Sequence, residues 1–385
     1  MYASVDISAR GRGGISGFCA LALTLLATFA GSVHANGFTA VGSLNAARYL
    51  HQAVSLQDGE VLVVGGYRGG ALNSVELYDP ATKTWSVKAP LLTARYWHTA
   101  TVLGSGEVLA AGGQNDAVTA LNSVEVYDPS ANGWAAAAGL TAARYEHTAT
   151  LLLSGKVLVV GGTDGNNALN TAELYDPTQN TWGPTGMLAA ARYEHTATLL
   201  ASGKVLIAGG LDTNGNMLAS AELYDPATNQ WTSAGTLADA RAGHAATRLS
   251  SGDVLVTGGD GSSGPLYSAE LYDPAGNSWS PAHAMTFARE SHTSTLLPSG
   301  LVLVAAGSEG APVLNSAELY DPASDSWSDA GTLVTQRYSH TANLLASGDV
   351  LITAGYLSSP LGDAELYIAD RIFAGNFDGT PTAYP

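Results

Sequence analysis

Short apolar or alternating runs, each closed by a small polar turn, recur along most of the chain. His195-Thr-Ala-Thr-Leu-Leu200 leads through Ser202-Gly203 into Lys204-Val-Leu-Ile-Ala208, and the same pairing of runs returns after His51, His98, His147, His244, His292 and His340. Runs of this length, rich in β-branched and apolar residues, predict strands, because an alternating pattern fits a pleated, half-buried surface. The Ser-Gly junction predicts a first hairpin, the loop after a Gly-Gly pair a second, and Asp-Pro with its polar followers a third. Each repeat therefore supplies four strands, and successive histidines stand 47 to 49 residues apart.

Other markers keep step with the histidine. An arginine stands three residues before each, at Arg48, Arg95, Arg144, Arg192, Arg241, Arg289 and Arg337. Glycine pairs follow, from Gly65-Gly66 to Gly258-Gly259, weakening to Ala306-Gly307 and Ala354-Gly355. A Glu-x-Tyr motif comes next, and in six repeats it runs on through Asp-Pro to Trp85, Trp134, Trp182, Trp231, Trp279 or Trp327. Four-stranded units at this period are propeller blades, and a glycine pair lets backbones approach near the crowded axis. The seventh unit lacks Asp-Pro and its Trp. In complete repeats the Trp precedes the next Arg by 10 residues, and the same count back from Arg48 lands on Phe38. A strand at about residues 38–44 is thus expected to complete the last blade and close a ring of seven, removing exposed edges.

The succession Arg-x-x-His, Gly-Gly, Ser74-Val-Glu-Leu-Tyr-Asp-Pro80 and Trp85 resembles the kelch repeat, over residues 38–367. The resemblance implies an all-β, seven-bladed kelch β-propeller. It leaves function open, because such propellers include enzymes and partner-binding scaffolds. It also implies a role for arginine: in kelch proteins that bind acidic peptides, the equivalent residue lines the mouth of the central channel. By that resemblance Arg48, Arg95, Arg144 and Arg337 present guanidinium forks to a carboxylate or phosphate. The seven histidines and seven glutamates occur once per blade, which fits contacts locking each blade to its neighbour better than a unique catalytic set.

Composition narrows the partners. Sixteen Lys+Arg against 33 Asp+Glu give a net charge of −17, so the phosphate backbone of a nucleic acid is a poor ligand. Residues 1–35 read as a secretory signal peptide: Arg10 and Arg12 precede an apolar run from Phe18 to Ala30, and Val33 and Ala35 precede a cleavage point before Asn36. Cys19, the one cysteine, would leave with it, and no later run is long enough to span a membrane. The expected product is exported, periplasmic or extracellular, with the propeller at residues 36–368 and a C-terminal tail at 369–385.

Residues that break the repeat are the candidate site. Trp97 is the one Trp out of register with the others. Tyr67-Arg68 and Tyr356 follow the glycine pairs of blades 1 and 7, which neighbour blade 2 in a closed ring. Trp97, Tyr67, Arg68 and Tyr356 are expected to form an aromatic and cationic patch for a sugar ring or an acidic ligand. On blades 3 to 6 the corresponding loops carry Glu146, Asp164, Glu194, Asp212, Asp260 and Glu290. Asp212, Asn214 and Asn216 alternate like calcium ligands but lack the bidentate Glu of an EF-hand, so no metal is expected. Resemblance to the seven-bladed copper oxidases of galactose oxidase type would require a cysteine bonded to tyrosine, which the mature chain lacks, and no cofactor is expected. The reading is an exported, non-enzymatic propeller binding a protein or carbohydrate through one face. The alternative is a periplasmic sugar-modifying enzyme of sialic acid mutarotase type, with Glu146, Glu194 or Glu290 as the acid or base beside Arg144, Arg192 or Arg289.

Overall fold

The computed structural model describes residues 37–369, so the signal-peptide reading of 1–35, with Cys19, and the tail beyond residue 369 lie outside the described residues. Among the described residues every regular element is a strand, and none is a helix long and apolar enough to cross a membrane. The strands form seven four-stranded antiparallel sheets, the blades, plus a two-stranded hairpin at Asp260–Gly261 and Gly264–Pro265. Blade 1 comprises Gln52–Ser55, Val61–Val64, Val75–Asp79 and Thr84–Lys88, and blades 2 to 6 repeat it.

The second strand of each blade is buried along its whole length: Val61–Val64, Val157–Val160 and Val254–Thr257 show no exposed position. That is why these four-residue runs are apolar almost throughout, with Thr257 the one polar position of the three, rather than alternating. The core lies between blades. Leu62, Val64, Val75 and Leu77 of blade 1 pack on Val108, Ala110 and Tyr127 of blade 2, with Trp134 against them. The outer-strand Trp residues are half-buried wedges, and each donates its Nε1–H to a carbonyl of the preceding blade, as from Trp134 to Ala89 at 3.0 Å and Trp182 to Ala138 at 2.7 Å.

Blade 7 unites the two ends of the described chain, in the order Gly37–Val41, Ala364–Ile368, Val350–Thr353, Thr341–Leu344. Phe38 stands opposite Tyr367, the register in which Trp85 stands opposite Tyr78, and the two rings lie 5.2 Å apart. Phe38 therefore fills the missing Trp's place. The closing strand is shorter than the expected 38–44, ending at Val41. Gly42 leaves it to accept the Nε1–H of Trp85, and Leu44 turns to donate to Gly362 at 2.8 Å.

The glycine pairs sit where a neighbouring blade presses in. A Cβ on Gly112 would lie 2.5 Å from the Arg144 carbonyl oxygen and 2.8 Å from the ring of His147, both of blade 3.

Candidate functional site: the mouth of the central channel

In each blade the Arg-x-x-His loop enters the innermost strand beside the loop that follows the glycine pair. Isolated bridges join the two, Tyr49 to Tyr67 in blade 1, Tyr96 to Gln114 in blade 2 and Tyr338 to Tyr356 in blade 7. The residue just before the histidine adopts φ of 50° to 57° in all seven blades: Leu50, Trp97, Glu146, Glu194, Gly243, Ser291 and Ser339. This shared left-handed turn has a structural cause. The N–H of Trp97 donates to Leu50, Glu146 to Trp97, Glu194 to Glu146, Gly243 to Glu194, Ser291 to Gly243 and Ser339 to Ser291, at 3.0 to 3.3 Å, so a girdle of main-chain bonds runs blade to blade around the axis. All seven residues line one cavity of about 720 Å³. One backbone slot, repeated seven times, thus carries Leu, Trp, Glu, Glu, Gly, Ser and Ser around the channel mouth.

Aromatic rings run along one side of the rim, and Tyr338, Tyr49, Tyr67, Tyr96 and Trp97 line the cavity while Tyr356 and Tyr145 stand behind them. Ring contacts run unbroken from Tyr338 to Tyr356 at 5.6 Å, to Tyr49 at 4.8 Å, to Tyr67 at 5.8 Å, to Tyr96 at 4.9 Å, to Trp97 at 5.0 Å and to Tyr145 at 5.6 Å, the last pair stacked at 17°. Centroid separations of this size with tilted or offset planes are the favourable geometry for aromatic pairs. The structure so brings together Tyr67, Trp97 and Tyr356, through Tyr49 and Tyr96, which sequence reasoning passed over. Their signal was the tyrosine of Arg-Tyr-x-His, which reads as a family marker when it is also a rim position. Arg68 does not join them. It is exposed on a turn whose N–H donates to Gly70, and it is not among the cavity-lining residues.

The next stretch of the rim is acidic. Glu146 and Glu194 occupy the repeated slot in blades 3 and 4 and line the cavity. Burial pushes Glu146 up to about 8, and the neighbouring Glu194 adds to the shift. Glu194 keeps contact with solvent in the channel, yet the surrounding walls raise it too, with Glu290 and Asp260 contributing. Glu290 is not at the slot: it takes the tyrosine's place in blade 6, bridged to Ser308, and stands outside the cavity lining. Asp164 and Asp212 are turn residues. Asp212 accepts from the N–H of Asn214 at 2.7 Å and of Asn216 at 2.9 Å and from Asn216 Nδ2, and these donors hold its carboxyl below the usual range. The calcium-like spacing is thereby an Asx turn.

The arginines correct an expectation. Arg48, Arg95, Arg144 and Arg337 present no fork to the channel: all seven repeat arginines are fully buried. Arg48 Nη1 donates to the carbonyls of Gly65 at 2.7 Å and Ser74 at 2.9 Å, and Nη2 donates to Ser74 Oγ at 3.0 Å and Glu76 Oε1 at 2.7 Å. The partners of the other six are Glu125, Glu173, Glu222, Glu270, Glu318 and Glu365, at 2.6 to 2.9 Å. A guanidinium out of water needs such saturation, and the Glu-x-Tyr glutamate provides it within the same blade. The glutamate also holds the incoming loop, accepting from the N–H of Asn45 and Ala46 in blade 1.

The histidines do join blades. His147, His195, His244 and His340 each share a hydrogen bond through Nε2 with the threonine after the preceding blade's histidine, at 2.9 to 3.0 Å, and His51 shares one with Thr341 across the closure. Where blade 5 has Ala245, His292 turns to Thr257 instead; where blade 1 has Gln52, neither ring nitrogen of His98 has a partner. Burial holds His51, His147 and His244 down to about 3, with adjacent arginines adding to it, and the other four well below their ordinary value.

Sequence comparison agrees with this architecture. The family model described as the KLHDC2/KLHL20/DRC7 Kelch-repeats domain matches residues 50–187, and the Kelch motif matches residues 194–238 and 241–286. The chain belongs to the kelch-repeat family. It is 44% identical over 61 residues to Kelch-like protein 35 of Mus musculus, a stretch covering 16% of this chain and 10% of that kelch protein, so the chain matches only about a tenth of this relative's length. Two solved structures share the fold. One is a fungal alcohol oxidase of the AA5 family in complex with copper, with TM-score 0.71 at 18% identity, covering 90% of this chain and 78% of the other. The other is YjhT, with TM-score 0.60 at 15% identity, covering 74% and 98%. Among the described residues no three His, Cys, Asp or Glu side chains converge on a common point, and six of the seven channel histidines are engaged with threonines.

Proposed function

We propose that this kelch propeller is an exported binding protein that takes a carbohydrate at the mouth of its central channel and performs no chemistry on it. The kelch fold suits a binding scaffold, and export rests on the charged and apolar pattern of residues 1–35. The observation that carries the ligand class is the arc of five rings, Tyr338, Tyr49, Tyr67, Tyr96 and Trp97, that lines the 720 Å³ cavity. Sugar rings offer apolar C–H faces to stack on such surfaces, while the serine and glutamate slots accept or donate hydrogen bonds to hydroxyls. An acidic ligand is disfavoured, because no arginine faces the cavity and two carboxyls do. A sugar-modifying activity of sialic acid mutarotase type would need a guanidinium beside those carboxyls. Arg144, Arg192 and Arg289 are committed to Glu173, Glu222 and Glu318 instead.

The test is titration calorimetry of the full chain against an array-selected oligosaccharide, with Trp97→Ala and Tyr67→Ala. Each substitution is expected to weaken binding at least tenfold while leaving the circular dichroism unchanged. Affinity that survives both substitutions overturns the channel-mouth reading.

A further inference from the structure

Glu146 and Glu194 are adjacent, the N–H of Glu194 donating to the Glu146 carbonyl at 3.3 Å, and both side chains line the cavity. Neither forms an ion pair among the described residues, and no Lys or Arg lines the cavity. Two neighbouring carboxyls, crowded by protein walls and without a counter-charge, resist ionising together, and a cation arriving beside them supplies the charge that lets them do so. The adjoining arc of the rim, reached from Glu146 through its bond to Trp97, has the same preference for a different reason: the faces of Trp97, Tyr96 and Tyr67 carry the negative end of the ring quadrupole.

We infer that the channel mouth selects a sugar bearing a free ammonium, an amino sugar whose ring stacks on the Tyr67–Tyr96–Trp97 arc and whose amine meets Glu146 and Glu194. The inference rests on the carbohydrate reading above and narrows it. A neutral sugar leaves the two carboxyls unanswered, and a sugar acid sets like charge against them. N-acetylation removes the charge while keeping ring and size, so it isolates the ammonium from every other contact.

The experiment titrates the full chain with three ligand sets of equal length: glucosamine oligomers, their N-acetylated forms and neutral gluco-oligosaccharides. The glucosamine set is expected to bind at least tenfold more tightly than the other two. In Glu146→Gln/Glu194→Gln that ratio falls towards one, and Arg68→Ala, outside the cavity, keeps it. Equal affinity for all three sets, or a ratio unchanged in the glutamine variant, overturns the ammonium inference and leaves the carbohydrate reading standing. Absence of binding by all three sets overturns both.

Discussion

At the scale of single residues, the two glycines of each pair differ in what they tolerate. The first has φ of 57° to 62° in blades 1 to 5, and alanine already stands there in blades 6 and 7, at 56° in Ala306 and 57° in Ala354. The second is glycine in all seven blades, with φ of 89° to 109°, a region open to little but glycine. On Gly113 a Cβ would lie 2.8 Å from both the Tyr96 carbonyl oxygen and the Cβ of His98, where the channel loop passes over it. Backbone strain of about 1 to 3 kcal/mol and overpacking of similar size act together at that position. Gly113→Ala is therefore expected to cost about 3 kcal/mol or more, and Gly112→Ala about 1 to 2, since blades 6 and 7 accommodate the same change. Urea denaturation of the two variants side by side decides it; equal losses would mean the second position is no more constrained than the first.

At the scale of elements, the closing strand is the one blade edge without a Trp. In blade 4, Trp231 donates to Gly186 at 2.8 Å; in blade 5, Trp279 donates to Ala234, three residues past Trp231, at 2.8 Å. Blade 6 has the same Gly-bearing outer strand as blade 4, so the acceptor facing Phe38 is the carbonyl of Ala330, in the cluster on which Phe38 packs. Phe38→Trp is expected to add that hydrogen bond and raise stability by about 1 kcal/mol, read as a rise in the urea midpoint with unchanged slope. A lower midpoint would show that the seventh blade is built for the smaller ring. The position of Phe38 was legible from spacing alone, as were blade number, hairpins and glycine pairs, because a repeated unit states its own geometry seven times. The channel mouth was legible only in part. Trp97, Glu146 and Glu194 stand out as departures from the repeat, but that they share one slot with Leu50, Gly243, Ser291 and Ser339 follows from a main-chain girdle joining residues about 48 apart. The arginines were misplaced for the opposite reason: the motif shows that Arg and Glu recur together, and only the fold shows them paired inside one blade.

At the scale of the whole molecule, the seven buried histidines make the propeller sensitive to acid. Their folded values lie far below the unfolded one, at about 3 for His51, His147 and His244, so between pH 6.5 and that value the unfolded chain binds protons that the folded chain refuses. Stability is whole above about pH 6.5 and is lost as pH falls below it, by about 1.4 kcal/mol per pH unit for each histidine that stays neutral. Several acting together exhaust a typical 5 to 15 kcal/mol within about two units. Glu146 opposes them: its folded value of about 8 means that the folded chain keeps a proton the unfolded one has released, a contribution present at low pH and lost as pH rises through 8. Glu194, Glu290 and Glu60 are raised as well and act in the same sense, but seven histidines outnumber these carboxyls and leave the balance with acid unfolding. Turn aspartates such as Asp212, with values lowered from an already acidic range, titrate below this window. The unfolding free energy, measured by urea titration at half-unit steps from pH 8 to 5, is expected to fall from pH 7 downward with uptake of at least three protons. A flat profile would mean that the histidines titrate in place and that their hydrogen bonds to threonine are not what joins the blades. Glu146→Gln separates the two effects, because it removes the decline between about pH 6.5 and 8 and steepens the acid limb by about one proton.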